Sequence, residues 1–209
     1  MNFILNLIPR KHLIRISILL RPLLKIYFKG SKFTDPIDNS KYRIFLPYGY
    51  GENIRKNALC PGTLSLERHR LLWLFLERNT TFFNDKLKIL HIAPEQPFYK
   101  KFKSIKNWDY ITCDLNSPLA DIKADICKLP FKKFEFDLII CNHVLEHIND
   151  DLKAIREIYR VLKKNGVAIL QVPIDESLSK TFEDKTIIDP KKKSELFGKY
   201  DHVRKYGKD

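Results

Sequence analysis

From position 65 onward, short apolar runs alternate with stretches of helical period. Leu66, Leu71, Leu72, Phe75 and Leu76 recur at helical spacing with Glu67, Arg68, Arg70, Glu77 and Arg78 between them, which predicts a helix over 65–79. The same reading gives strands at 87–93, 108–114, 122–126, 134–141 and 167–173. It gives helices at 97–104 and 150–164, the second ended by Gly166. Strands alternating with helices imply βαβ units, so the expected fold class is α/β, with a doubly wound, mostly parallel sheet covered on both faces.

Ahead of this lie two stretches of different texture. Residues 1–30 mix Leu, Ile and Phe with Arg and Lys, and Pro22 is expected to kink or split any helix there, giving one or two short basic amphipathic helices. Residues 31–63 hold Pro36, Pro47, Pro61, Gly49, Gly51 and Gly62, and read as a turn-rich segment with a thin core. Residues 64–209 form the main domain.

Composition narrows the class only a little. At 209 residues with 44% hydrophobic side chains, the chain can build one full domain with an appendage, not a two-domain enzyme with a large substrate lobe. Charge departs from average: 38 basic against 25 acidic side chains leave +13, and six of the basic groups fall in residues 1–30, which hold no acidic one. Three readings of that segment follow. Packing against the domain or a partner ranks first and peripheral contact with an anionic membrane second. Nucleic acid is not favoured, because the basic residues lack interleaved stacking aromatics. Cys60, Cys113, Cys127 and Cys141 show no close pairing, which fits a reducing cytosol, and Arg15, Arg21 and Lys25 interrupt every apolar run long enough to approach a membrane span.

In a doubly wound sheet the ligand sits beyond the carboxyl ends of the strands, at the switch in strand order. The candidates are therefore the residues 91–97 after the first strand, Asp114 after the second, Asp125 after the third, and Asn142 and His143 after the fourth. Asp114 lies nineteen residues beyond Glu95, close to the spacing at which an acidic side chain meets the ribose hydroxyls of a nucleotide bound over the first loop.

The runs LKILHIAPEQPFYKKF, DYITCDLNSPLADIKADICKLPF and FDLIICNHVLEHINDDLKAIREIYRVLKKNGVAILQVP, in this order, resemble a class I S-adenosylmethionine-dependent methyltransferase over residues 66–173. The resemblance implies S-adenosyl-L-methionine as cofactor and an unidentified methyl acceptor. It places Asp114, with Leu115 beside it, at the ribose, and Asp125 with the backbone of Ile126 at the adenine. Asn142 and His143 border the methionine part and the acceptor, with His143 and His147 the candidate bases and His143 the better placed. The loop after the first strand departs from the family pattern, since His91, Ala93, Glu95 and Pro97 stand where an acidic residue and three glycines are expected. Glu95 is the candidate to hold the cofactor's ammonium in place of the acid absent at His91.

Two metal motifs are weighed and set aside. His143-Val144-Leu145-Glu146-His147 spells H-x-x-E-H, but a buried strand runs into it and a new helix start follows, which does not suit a zinc peptidase. The stretch FLPYGYGENIRKNALCPGTLSLERHRLLWLFL resembles a lead-in that carries a small zinc ribbon on some of these methyltransferases. Here Asp35, Asp38, Cys60 and Thr63 occupy the ligand positions, a poor tetrahedral zinc set, so no metal is expected and packing and hydrogen bonds are expected to hold the turns. Arg68, His69 and Arg70 are expected on a solvated helix face.

The family's sheet is ordinarily finished by two more strands, and residues 174–209 contain no comparable apolar run. The expectation is a chain short by about one helix and two strands, with an open edge at the fifth strand and weakened or lost activity. A silent methyltransferase-fold module serving as a binding or membrane-associated partner is the second reading of the sequence.

Overall fold

The computed structural model describes residues 10–49 and 54–209. Positions 1–9 of the basic extension and Gly51 of the turn-rich segment lie outside them. The chain forms two units. One comprises the residues up to Lys86 with Glu95–Trp108 and Ser117–Leu119; the other comprises Leu87–Pro94, Asp109–Asn116 and Ala120–Asp209.

In the first unit, helix α1 (Arg10–Tyr27) runs through Pro22 without ending there. This corrects the expected split. Proline removes one amide donor from the ladder, and the remaining intrahelical bonds carry the helix across it. Two small antiparallel pairs follow, β1 (Lys29–Thr34) with β2 (Lys41–Tyr42) and β3 (Leu46–Tyr48) with β4 (Arg55–Leu59). Their core is small, Tyr42, Phe45 and Cys60 with Phe28 and Phe33 against them. Helix α2 (Glu67–Asn79) buries Leu72 and Leu76 and leaves Leu71 and Phe75 exposed. Helix α3 (Gln96–Lys103) stacks Phe98 on Phe102, and Trp73, Phe83 and Trp108 complete an aromatic cluster.

The second unit is built on a parallel sheet in the order β7-β6-β5-β8-β9, comprising β5 (Leu87–Ile92), β6 (Trp108–Asp114), β7 (Ile122–Lys123), β8 (Phe136–Asn142) and β9 (Leu162–Gln171). This is the expected doubly wound, Rossmann-like arrangement, with the switch in strand order between β5 and β8. β8 is buried at every residue except Asp137, as a central parallel strand should be. Helix α4 (Asp151–Val161), capped by the Asp150 carboxylate on the Lys153 amide, lays Ala154, Ile158 and Val161 against Leu90, Ile92, Phe136, Ile139 and Cys141.

α4 ends three residues before the expected Lys164. Its last carbonyls, on Arg160 and Val161, accept the amides of Phe134 and Glu135 at 3.0 and 2.8 Å, so the chain leaves the helix extended with no left-handed cap. Lys163 to Gly166 instead form a bulge in β9, where the partners of Phe136 and Leu138 are Leu162 and Val167. A methyl group at Gly166 would meet Leu162 Cδ1 at 2.8 Å and the Asp137 carbonyl oxygen at 3.0 Å. Gly166→Ala should therefore cost about 1–3 kcal/mol in urea unfolding through overpacking. β7 is shorter than the expected 122–126, because the Asp125 carboxylate accepts the Cys127 amide and turns the chain.

Beyond β9 the chain forms the two-residue pair β10 (Phe182–Glu183) with β11 (Arg204–Lys205), and helix α5 (Pro190–Phe197) with its exposed Lys191 and Lys192. Among the described residues β9 bonds within its sheet to β8 alone, and Val167 and Leu170 stay partly exposed. The end of the chain is firmly anchored. The Val203 amide donates to the Glu146 carbonyl at 2.9 Å, and Arg204 binds the carbonyls of Leu145, Ile148 and Asn149.

Candidate functional site

Backbone hydrogen bonds bring the predicted strand-end residues into one row along the carboxyl edge of the sheet. Ile92 is in register with Cys141, so Ala93 follows β5 beside Asn142. The Ala93 amide donates to the Cys113 carbonyl at 2.8 Å, one residue before Asp114. The Ala124 amide donates to the Asp114 carbonyl at 3.1 Å, one residue before Asp125, and on the other side the His143 amide donates to the Gln171 carbonyl at 2.8 Å. Asp125, Asp114, Ala93, Asn142, His143 and Gln171 thus come from five segments to one edge.

At the switch point the backbone itself is special. Ala93 has φ 52° and His143 has φ 53°, both left-handed conformations in residues with a Cβ. Each lies just past one of the two strands that flank the switch, so both chains turn sharply off the sheet at the place where a doubly wound fold leaves its crevice. At Ala93 the left-handed backbone stands where glycine is expected in the resembled family, and alanine tolerates it at modest cost.

The side chains differ in how far they are committed. Asp114 is half-buried, and its Oδ1 accepts the Asn116 amide at 2.6 Å, which orients the carboxylate. Leu115 beside it is exposed, Asp125 is exposed, and Ile126 is buried. Asn142 is buried at the end of β8. The half-exposed His143 places Nδ1 3.2 Å from Glu146 Oε1. An ionised carboxylate only accepts, so Nδ1 carries the proton and Nε2 keeps its lone pair.

His91 does not stand at the loop as expected. It lies inside β5, wholly buried, with Nδ1 2.7 Å from the Tyr110 hydroxyl on β6, and so serves the sheet. Glu95 belongs to the first unit, where His69 Nε2 donates to it at 2.6 Å and Arg68 lies 3.6 Å away. The expected solvated face of Arg68, His69 and Arg70 is corrected accordingly. His69 is buried, its Nδ1 accepting the Leu66 amide, while Arg70 donates to the carbonyls of Ser65 and Ala58 and lies over the Phe45 ring. These residues look charged in sequence but satisfy the start of α2 and the turn before it. Glu146, weighed in sequence only as part of the H-x-x-E-H motif, is buried behind His143, and one residue escaped the sequence reading: Gln171, whose Oε1 is buried without a hydrogen-bond partner among the described residues. A glutamine closing the apolar run of β9 was the available signal.

The family model described as "Methyltransferase domain" matches residues 96–170, which hold α3, β6, β8, α4 and most of β9. That stretch is similar to a methyltransferase domain and takes up about a third of the chain. The chain is 51% identical over 59 residues to "Uncharacterized protein MJ0638" of Methanocaldococcus jannaschii, a match covering 28% of this chain and 26% of that one. It is 43% identical over 68 residues to "Uncharacterized protein MJ1123" of the same organism, covering 31% and 33%. The matches thus span about a quarter to a third of the length of these relatives. Among solved structures, a SAM-dependent methyltransferase from Archaeoglobus fulgidus superposes with a TM-score of 0.43 at 18% identity, covering 52% of this chain and 54% of that one. No helix among the described residues is long and apolar enough to cross a membrane.

A pocket of about 690 Å³ in the second unit is lined by Asp150, Asp151, Glu183 and Asp184 with Lys185 and Arg204. None of the strand-end residues of the methyltransferase domain lines it, so the volume does not mark their crevice.

The two turns of the first unit have a common hydrogen-bond pattern. The Asp35 amide donates to the Ser40 carbonyl and the Asn39 amide to the Asp35 carbonyl, as the Cys60 amide does to Ser65 and the Leu64 amide to Cys60. The buried Asp35 carboxylate accepts from the Thr63 and Ser65 hydroxyls and from the Ile37 amide. Burial beside Asp35 pushes the Cys60 thiol up to about 11, so it stays protonated at neutral pH.

Proposed function

We propose that the chain moves a methyl group from S-adenosyl-L-methionine to an acceptor at the β5/β8 crevice. The observation that carries this reading is the left-handed backbone at both Ala93 and His143, which opens the switch point with Asp114 one strand away. When bound, the cofactor supplies an activated sulfonium methyl, so the chain's own task is mainly placement. Asp114, oriented by Asn116, accepts from the ribose hydroxyls. Asp125 and the Ile126 backbone meet the adenine edge, and Asn142 borders the methionine part. His143, with its proton fixed on Nδ1 by Glu146, presents Nε2 to take a proton from the acceptor.

Calorimetry with S-adenosylhomocysteine tests the pocket. Wild-type protein should bind it, and Asp114→Ala should weaken binding about 10–150-fold, the loss of charge-assisted hydrogen bonds of about 1.5–3 kcal/mol. A folded wild-type chain that does not bind would overturn the reading.

A further inference from the structure

The turn after β8 and the segment around His202 meet at a group of side chains of which the methyl-transfer reading uses Glu146 alone, through its Oε1 toward His143. One ligand atom each from Glu146, His147 and His202 lie within 4.8 Å of one another, and the two imidazole rings stand edge to face with centroids 4.8 Å apart. All three belong to the second unit. Glu146 and His147 sit on the 3-10 turn Leu145–His147, and His202 comes from a segment fifty-five residues later.

Both histidines are already held as metal ligands need to be. His147 Nδ1 is 3.1 Å from the Asp201 carbonyl oxygen, and His202 Nδ1 is 3.0 Å from the Phe197 carbonyl oxygen. A carbonyl only accepts, so each ring carries its proton on Nδ1 and leaves the Nε2 lone pair for a ligand. That is the outer-shell arrangement that fixes tautomer and ring orientation around bound metals. The anionic partner is costly as it stands. Glu146 is 1% exposed, and its Oε2 is buried with no hydrogen-bond partner among the described residues. A carboxylate oxygen left without a partner in the interior carries a desolvation penalty that a cation would remove.

We propose that Glu146, His147 and His202 form a binding site for a divalent transition metal of the zinc type. Two imidazole nitrogens and one carboxylate are a donor set zinc accepts, and three protein ligands leave one coordination position for an oxygen ligand. At zinc bond lengths, tetrahedral ligand atoms stand about 3.4 Å apart, so closure from the observed spacing asks for movements of about 1 Å. The Leu145–His147 turn supplies two of the ligands, Glu146 and His147. The end of the chain supplies the third because the Val203 amide and Arg204 pin it to that turn. Metal binding would thus also tie the end of the chain to the turn that follows β8. This assignment does not depend on the methyl-transfer reading, and its test reads metal directly.

The experiment is titration of metal-stripped full-length protein with zinc chloride, followed by calorimetry and by melting temperature, and with cobalt(II) followed by visible absorption. Expected are one equivalent bound, a melting temperature that rises with zinc, and a tetrahedral cobalt spectrum. His202→Ala and His147→Ala should each lower zinc affinity at least tenfold and lose the cobalt spectrum. Glu146→Gln, which keeps an oxygen acceptor for His143, should also lower zinc affinity at least tenfold, and unchanged affinity in that variant would remove Glu146 from the site. His143→Ala, outside the three ligands, should retain one equivalent. A stripped wild-type protein that binds no zinc in the micromolar range, or folded His147 and His202 variants that bind as the wild type does, would overturn the assignment. Circular dichroism of each variant separates lost binding from lost fold.

Discussion

Replacing Arg204 by alanine lowers the stability of the second unit by about 3–5 kcal/mol, read as a shift of the urea midpoint. The guanidinium is 2% exposed. It donates to the carbonyls of Leu145 at 3.0 Å and Asn149 at 3.1 Å as well as that of Ile148, and to Glu183 at 2.9 Å, with Asp151 3.3 Å away. Removing it strands the Ile148 and Asn149 carbonyls, leaves the Leu145 carbonyl with the Ile148 amide as donor, and leaves two carboxylates without their counter-charge; each buried acceptor without a partner costs about 1–3 kcal/mol. Burial alone would weaken its charge, but Glu183 and Asp151 outweigh that and hold its pKa above the ordinary arginine value. Arg204→Lys keeps the charge but not the fork, and should fall between wild type and alanine. Hydrogen exchange should quicken first at 145–151. An Arg204→Ala protein with an unchanged midpoint would show that this turn is satisfied from elsewhere.

The second large effect is expected at Asp35, in the first unit. Asp35→Ala removes the acceptor for the Ile37 amide at 2.9 Å, for the Ser65 hydroxyl at 2.7 Å and for the Thr63 hydroxyl, all buried. Arg70 reaches the same site through the Ser65 carbonyl and hydroxyl at 2.9 and 3.2 Å, so its burial is compensated there. Two turns related by one hydrogen-bond pattern are joined through this carboxylate, and the core around them is only a handful of residues. We expect a loss of about 3–5 kcal/mol and rapid hydrogen exchange across 29–66, with Asp35→Asn intermediate because one acceptor oxygen survives. Unchanged exchange in that stretch would show that the turns are held by apolar packing alone.

The order of elements in the sheet domain was legible because parallel strands announce themselves. Near-continuous apolar runs such as 136–142 ending in a polar residue, separated by helical periods, leave few topologies open. Asp114, Asp125, Asn142 and His143 were legible for the same reason, as the first polar residues past each run. What misled was local chemistry that depends on distant partners. Gly166 looked like a helix cap, but the carbonyls it was expected to serve are taken by Phe134 and Glu135 from the incoming strand. His69 and Arg70 looked like surface, but their partners are a turn amide, two turn carbonyls and Glu95.

By itself the sequence determined the succession of strands and helices and the candidate residues that follow the strands, because periodicity and the placement of polar residues after apolar runs are local properties of the chain. Only the tertiary structure decided that His91 faces Tyr110 within the sheet, that Asp35 joins two turns, and that Glu146 and His147 meet His202. Those pairings close loops of 19, 28 and 55 residues, and nothing in the spacing of side chains along a chain records which distant donor will complete a buried acceptor.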